Sequence, residues 1–274
     1  MEEFYLGTHR LPHIDISEIP LFISHRVLKE RKKKPFNPRS PVAIDSGGFS
    51  ELSLYGEWRT TPSEYIETLT RMEGLNLKID WAASQDWMVE DIMLSKTGKT
   101  ILEHQELTVR NFIELYDSET GFEFVPTIQG QTLEQYRHHV GMYRERGFDL
   151  KRLNRVGVGS VCRRESTREI EFIMSNLAND GLSIHGFGVK SGGMKRYDQH
   201  LKSADSLAWS FNARVRKEYC QVHQENHTTK NCANCFHYAV EWFNRCIEPH
   251  LSFDCECINT DMGGKCTDCL RSVA

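Results

Sequence analysis

Up to about residue 215 short apolar runs alternate with longer polar segments of helical spacing, a pattern of strands and crossover helices. Eight runs read as strands: EFYLGTH, PLFISH, PVAIDSGG, KIDWAASQD, FEFVPTIQG, RVGVGSV, LSIHGFGV and ADSLAWS. Helical stretches fall between several of them. TPSEYIETLTRMEG offers Thr61 or Ser63 as its N-cap, TLEQYRHHVGMYRERG closes on Gly147, and RESTREIEFIMSNLANDG follows the sixth run. Continuous apolar strands separated by helices imply a parallel sheet covered by helices. Eight such units in about 210 residues predict an α/β fold, a (β/α)8 TIM-type barrel, with a doubly wound open sheet as the alternative. From residue 216 the pattern breaks into a Cys/His-rich module with one helix, NCFHYAVEWFNRCIE. The expected division is a barrel over 1–215 and a zinc-binding appendage over 216–274.

In a parallel barrel, chemistry sits where strands hand over to the following loops. Asp45 ends the third run, Asp86 follows the fourth, and Gln129 with Gly130 ends the fifth. Gly157 and Gly159 close the sixth, His185 to Gly188 lie in the seventh, and Asp205 opens the eighth. Singly, each has an ordinary reading. An Asp after a strand caps a turn or helix, the glycines allow tight packing, and His185 reads as a core histidine. Together, three carboxylates, an amide and several glycines suit a flat heterocycle with many donor and acceptor edges. In VAIDSGGFSEL, Ser46, Gly47 and Gly48 either complete a turn or open a slot beside Asp45. Two carboxylates of different role are also what a double displacement at a sugar carbon requires.

Composition narrows the class. The chain has 274 residues, 39% hydrophobic and 26% charged, which is the balance of a globular protein. No apolar run approaches the roughly 18 residues of a membrane span, and the acidic start MEEFYLGTHR lacks a signal-peptide pattern, so a cytoplasmic location is expected. A net charge of −4 gives no global attraction for a polyanion. The local run KERKKK, Lys29 to Lys34, is either a solvated face or a phosphate contact. Trp87 and Trp209 read as core residues rather than base-stacking ones.

The cysteines add a second kind of chemistry. Cys162 stands alone, whereas the other eight fall between Cys220 and Cys269, a crowding that points to metal in an intracellular chain. Cys220, His223, Cys232 and Cys235 carry the C-x2-H and C-x2-C spacings of a structural zinc site, with His223 preferred over His227 as the fourth ligand. Cys255, Cys257, Cys266 and Cys269 are candidates for a second, four-cysteine site. Four protein ligands leave no open position, so either ion would fold the appendage rather than catalyse.

DSGGF, then PTIQG, then the Asp-Ser pair of the last strand resemble the tRNA-guanine transglycosylase superfamily. The closer likeness is to its DNA-acting branch, the 7-deazaguanine DNA transglycosylases called DpdA. FYLGTHR, WAASQDWM, GVGSVCRR, HGFGVK, SADSLAWSFNAR and NCANC occur here in that branch's order. The resemblance implies a barrel that exchanges guanine in DNA for a free 7-deazaguanine such as preQ0, through a covalent aspartyl–sugar intermediate. It implies Asp205 as the nucleophile, Asp45 in acid/base work on the base, and Asp86 and Gln129 reading the base edge. Backbone at Gly157 and Gly159 would contact the base, and the superfamily carries a comparable zinc held by three cysteines and a histidine. Two departures stand out: Ser160 lies where the bacterial tRNA enzymes have an acidic residue, and Arg155 where they tend to have a small one. The expected partners are DNA, the free base, and accessory DNA-modification proteins that open the duplex. There is little room for the extra RNA-binding domains of the archaeal enzymes, which fits DNA. Exchange on tRNA, removal of the base by water, and a zinc-containing nucleic-acid-binding protein without catalysis are the alternatives.

Overall fold

The computed structural model describes residues 1–161, 167–224 and 230–252. All eight predicted runs form strands, and the fifth divides in two. The strands are β1 Glu3–Gly7, β2 Leu21–Ser24, β3 Val42–Asp45, β4 Ile79–Ala83, β5 Phe124–Val125, β6 Thr127–Ile128, β7 Val156–Val158, β8 Ile184–Gly186 and β9 Ser203–Ser206. They pair in parallel in the order β5-β4-β3-β2-β1-β9-β8-β7-β6. The two edges, β5 and β6, are consecutive in the chain and separated only by Pro126. Proline has no N–H to give to a ladder, so it divides what is otherwise one strand. With its edges joined in this way, the sheet is a nearly closed barrel, as expected, and the alternative of an open sheet falls away.

Alternation along the strands separates two layers. Phe4, Leu6, Leu21, Ile23, Val42, Ile44, Ile128, Val156, Val158 and Ile184 belong to one large core with the helices. Tyr5, Phe22, Ala43, Trp81, Ala83 and Val125 form a second core, with Phe187 packed against it, that fills the barrel. The helices Pro62–Gly74, Ile101–Tyr116 and Leu133–Glu145 each start with a reciprocal capping box, Thr61 with Glu64, Thr100 with Glu103 and Thr132 with Gln135. Such a cap contributes about 1 kcal/mol. Thr61, rather than Ser63, takes the first cap because Pro62 occupies the first helical position, where its missing N–H costs nothing.

The first two crossovers are abbreviated to a 3-10 turn, Leu11–Asp15, and a single helical turn, His25–Leu28. The outer face of β1 is covered from elsewhere. Phe4 packs with ring centroids 6.4 Å from Trp242 and 5.8 Å from Phe243, both on the helix Phe236–Cys246. Cys220, Cys232, Tyr238 and Trp242 thus belong to the same core as the barrel. The basic run follows the single turn after β2 and packs by its backbone against the end of a helix. Lys29 and Arg31 offer their carbonyls to Arg71, near the end of the helix Pro62–Gly74, where the chain turns toward the start of β4. Among the described residues no helix is long and apolar enough to cross a membrane.

Candidate active site and metal centre

A cavity of about 420 Å³ opens at the C-terminal ends of the strands, lined among others by Asp45, Ser46, Gly48, Asp86, Gly159 and Asp205. Strand register brings these residues level. Ser24 pairs with Asp45 between β2 and β3, and Tyr5 pairs with Asp205 between β1 and β9. Asp45 accepts hydrogen bonds from the Gly47 N–H and the Ser24 hydroxyl, but burial and the nearby charge of Asp205 push its carboxyl above the ordinary range. Gly47 has φ +85°, a left-handed conformation that a side chain would strain, and it caps the helix Gly48–Tyr55. A Cβ on Gly48 would come within 2.9 Å of Trp58 and 3.1 Å of Asp86 Oδ1. The two glycines therefore serve the turn and the approach of Asp86 to Asp45 together.

Asp86 sits in an irregular segment after β4 that the helix Ile101–Tyr116 holds through its inner polar side. His104 Nδ1 lies 2.7 Å from the Met88 carbonyl, Thr108 Oγ1 accepts from the Trp87 N–H at 2.8 Å, and Asn111 donates to the Gln85 carbonyl at 2.8 Å. These bonds satisfy backbone groups that have left the ladder. Burial, then the charge of Asp45, raise Asp86 to about 7. Gln129 is fully buried behind the cavity wall and donates its amide N–H to Asp86 Oδ2. The Gln129 backbone N–H donates to His139 Nδ1 at 2.8 Å, a ring that burial keeps neutral by lowering it to about 3. Gln129 Oε1 in turn accepts from the Ser160 hydroxyl. Gly130 packs against Tyr136 and Gly157 against the Phe187 ring, and neither belongs to the cavity lining.

Sequence reasoning passed over several lining residues. Ser24 closes β2 as Asp45 closes β3, so the strand-end rule could have found it. Glu90 lines the cavity, with a carboxylate oxygen 3.2 Å from Ser160 Oγ. Ser160 itself has φ +58°, an uncommon conformation for a residue with a Cβ and one that collects at functional sites. Phe49, Phe187 and Leu207 supply apolar lining, with Phe49 and Leu207 exposed. Trp87 and Trp209 are both core: Trp87 packs with Leu52 and Met93, and Trp209 donates to the Gly7 carbonyl at 2.8 Å.

Asp205 is nearly buried. Its Oδ1 accepts from the Gly188 N–H at 3.0 Å and lies 3.4 Å from His185 Nε2. Among the described residues, none of Asp45, Asp86 and Asp205 pairs with a Lys or Arg. A cavity with apolar walls, two carboxyls raised by burial and a third held by a neutral donor can bind a flat base and move protons on it.

Cys220, His223, Cys232 and Cys235 converge, with all four ligand atoms within 4.8 Å of one another. Cys220 Sγ is 3.8 Å from both Cys232 and Cys235 Sγ, and His223 Nδ1 is 3.0, 3.4 and 3.6 Å from Cys220, Cys232 and Cys235. Four ligands at the usual zinc bond lengths of about 2.3 Å to sulfur and 2.0 Å to nitrogen have tetrahedral edges of roughly 3.5–3.8 Å. The set therefore fits a metal ion such as zinc. His227, Cys162 and the second cluster, Cys255, Cys257, Cys266 and Cys269, lie outside the described residues. Asn234, between two of the ligands, bonds His9 of the cavity rim at 2.8 Å.

The sequence matches a family described as DpdA, DeoxyPurine in DNA protein A, over residues 1–269. No curated protein matches the chain.

Proposed function

The chain belongs to the DpdA family, and from that premise we propose that it is a DNA-guanine transglycosylase, a pentosyltransferase that exchanges guanine in DNA for a free 7-deazaguanine of the preQ0 type. The observation that carries the reading is the meeting of Asp45, Asp86 and Asp205 in one cavity whose lining includes Phe49 and Phe187. A cavity of about 420 Å³ has room for a nucleoside and not for a duplex, so the target guanosine must leave the stack.

In this mechanism a carboxylate oxygen of Asp205 attacks C1′ and the C1′–N9 bond breaks. Asp45, raised by burial and so able to hold a proton, gives it to the departing guanine. The incoming 7-deazaguanine then loses its N9 proton to Asp45, N9 bonds to C1′, and the Asp205 ester breaks. One proton leaves Asp45 and one returns. Asp86 takes the base edge, with Gln129 holding it from behind the cavity wall, and Ser46, Gly48, Gly159 and Ser160 take its perimeter, with Gly47 setting the turn that carries them. Carbon at position 7 removes the site whose protonation would help expel the product base, so the exchange runs forward.

Zinc is the ion proposed for Cys220, His223, Cys232 and Cys235, where it supplies a structural cross-link. The division into a barrel over 1–215 and a metal-binding module over 216–274 belongs to the same reading. Its support is that the last barrel helix, Ala208–Arg216, ends just before the four ligands.

The test is incorporation of labelled preQ0 into duplex DNA and unmodified tRNA side by side, with Asp205→Asn as control. Label in DNA that vanishes in Asp205→Asn is expected. Label in tRNA alone overturns the substrate, and undiminished label with Asp205→Asn removes that residue as nucleophile.

A further inference from the structure

His185 lies directly under Asp205 in the barrel, with no exposed surface. Tyr5, Phe22, Trp81 and Phe187 surround its ring, with centroids 4.7 to 6.2 Å away. A histidine in such apolar company is held neutral by burial. A neutral imidazole has one N–H and one lone pair, so the two nitrogens must play different parts. Nδ1 lies 2.8 Å from Ser203 Oγ, and that hydroxyl already accepts from Arg155 Nε at 3.1 Å. Arg155 can only donate, so Nδ1 is free to take the Ser203 proton, and the opposite tautomer would set the Nε2 lone pair against the Asp205 carboxylate. The proton of His185 then sits on Nε2, 3.4 Å from Asp205 Oδ1, a proximity that is not yet a hydrogen bond, and Nε2 has no closer partner among the described residues. Apo catalytic contacts of this length commonly tighten when substrate binds.

Both contacts of Asp205, from the Gly188 N–H and from His185, fall on the same oxygen. We infer that His185 is a positioning residue for the nucleophile: the chain Arg155–Ser203–His185 fixes its Nε2–H form, and that N–H with the Gly188 N–H ties down Oδ1 so that Oδ2 is presented to C1′. The inference rests on the reading of Asp205 as nucleophile. A neutral donor orients the carboxylate without setting a full positive charge against it, as an Arg or Lys would. When Oδ2 is esterified to C1′, Oδ1 becomes the carbonyl oxygen and keeps both donors. As the incoming base displaces the ester, charge returns to the carboxylate where those donors already point.

The experiment compares His185→Leu, His185→Gln and Ser203→Ala in single-turnover reactions. It follows the rate of guanine release and the yield of acid-trapped protein–DNA adduct, with thermal stability measured in parallel. Misplacing a reacting group by about 1 Å costs on the order of 100-fold, and His185→Leu is expected to lose that much in adduct formation with KM for DNA unchanged. His185→Gln keeps a donor and is expected to recover to within roughly tenfold of the parent, while Ser203→Ala, which frees the tautomer, loses about tenfold. A packing role alone would not favour Gln over Leu at equal stability. If His185→Leu matches the parent, or if Gln is no better than Leu, the positioning role is overturned. Should His185→Leu not fold, parent-like adduct formation by Ser203→Ala overturns it instead. Asp205→Asn separates the two readings: adduct formed by that variant removes the nucleophile itself, whatever the His185 variants do.

Discussion

The two ends of the barrel use the same polar residue types and arrange them in opposite ways. At the N-terminal end the buried Arg155 reaches Glu3, lies 3.7 Å from Glu123, and donates to Ser203. Its guanidinium stands 5.0 Å over the Trp81 ring, and the nearby Tyr5 hydroxyl bonds both Glu3 and Asp80. Glu3 and Glu123 share the counter-charge of Arg155 there, and Asp80 is met by the Tyr5 hydroxyl. At the C-terminal end Asp45, Asp86 and Asp205 meet around a cavity whose only basic side chain among the described lining residues is His9. Paired charge at one end serves the fold, and like charge gathered at the other is tolerated because it does something else.

The largest test of that contrast falls on activity. Asp45→Asn keeps shape and hydrogen bonds but cannot carry a proton to and from the base. Exchange into DNA is expected to fall by roughly 10²–10⁴-fold, with the melting temperature unchanged or raised, since one of two neighbouring like charges is gone. Kinetics and a melting curve on the same preparation check both halves. Unchanged kinetics, or a fall in activity matched by unfolding, breaks the contrast. At the other end the order reverses. Arg155→Leu strands Glu3 and Glu123 beside an apolar barrel and is expected to cost about 3 kcal/mol, roughly 6–12 °C in melting temperature. The remaining folded fraction should still release guanine, slowed no more than in Ser203→Ala, because Arg155 reaches the site only through Ser203 and His185. A melting temperature within about 2 °C of the parent would falsify the structural assignment of Arg155.

How much of this was legible in the sequence differs between the same two ends. Each strand was visible because a buried parallel strand must be apolar throughout and bounded by turn residues, and the strand-end rule then pointed to Asp45, Asp86 and Asp205. Arg155 was visible only as a misfit before GVG, because its partners come from β1 and from the turn before β5. Helix Ile101–Tyr116 shows the same limit. His104, Gln105, Thr108 and Asn111 look like a solvent face, yet all four are buried, three of them holding the segment that carries Asp86. Glycines were the hardest to interpret. Nothing local says that Gly157 faces the ring of Phe187, which follows the next strand in the chain. His185 was read as a core residue, and its burial agrees with that. Only the structure puts Asp205 above it.

The metal centre lies between the two ends in expected effect, because it touches both concerns. Cys232→Ala removes one of four ligands and should lower bound zinc, measured by native mass spectrometry, from one ion per described cluster to none. It should also lower the melting temperature on the order of 5 °C, since the helix covering Phe4 is tethered there. Activity should fall with stability, because Asn234 in the ligand loop holds His9 at the rim. Retained zinc would mean that another group completes the set.

The smallest effect is the most discriminating, because a single substitution should act with opposite signs on fold and function. Burial and the charge of Asp45 raise Asp86 to about 7, against about 4 in an unfolded chain. Between those values the folded protein holds a proton that the unfolded one has lost. Stability from this group is therefore complete below about pH 4 and declines as pH rises through about 7. Buried neutral histidines pull the other way: His139 is lowered to about 3 and His25 to about 4, and they make the protein less stable as pH falls. The absolute profile thus hides Asp86, and the difference between Asp86→Asn and the parent reveals it. Asparagine mimics the protonated acid, so the variant should match the parent below about pH 4. It should exceed it by on the order of 1 kcal/mol, about 2–4 °C, near pH 8, after allowance for solvent reaching the cavity. A guanine edge offers donors that an ionised Asp86 accepts and an amide meets less well. KM for the free base should therefore rise in the same variant that melts higher. If stability and base affinity fall together, Asp86 is a structural residue, and the separation of the barrel into a paired end and a working end does not hold at that position.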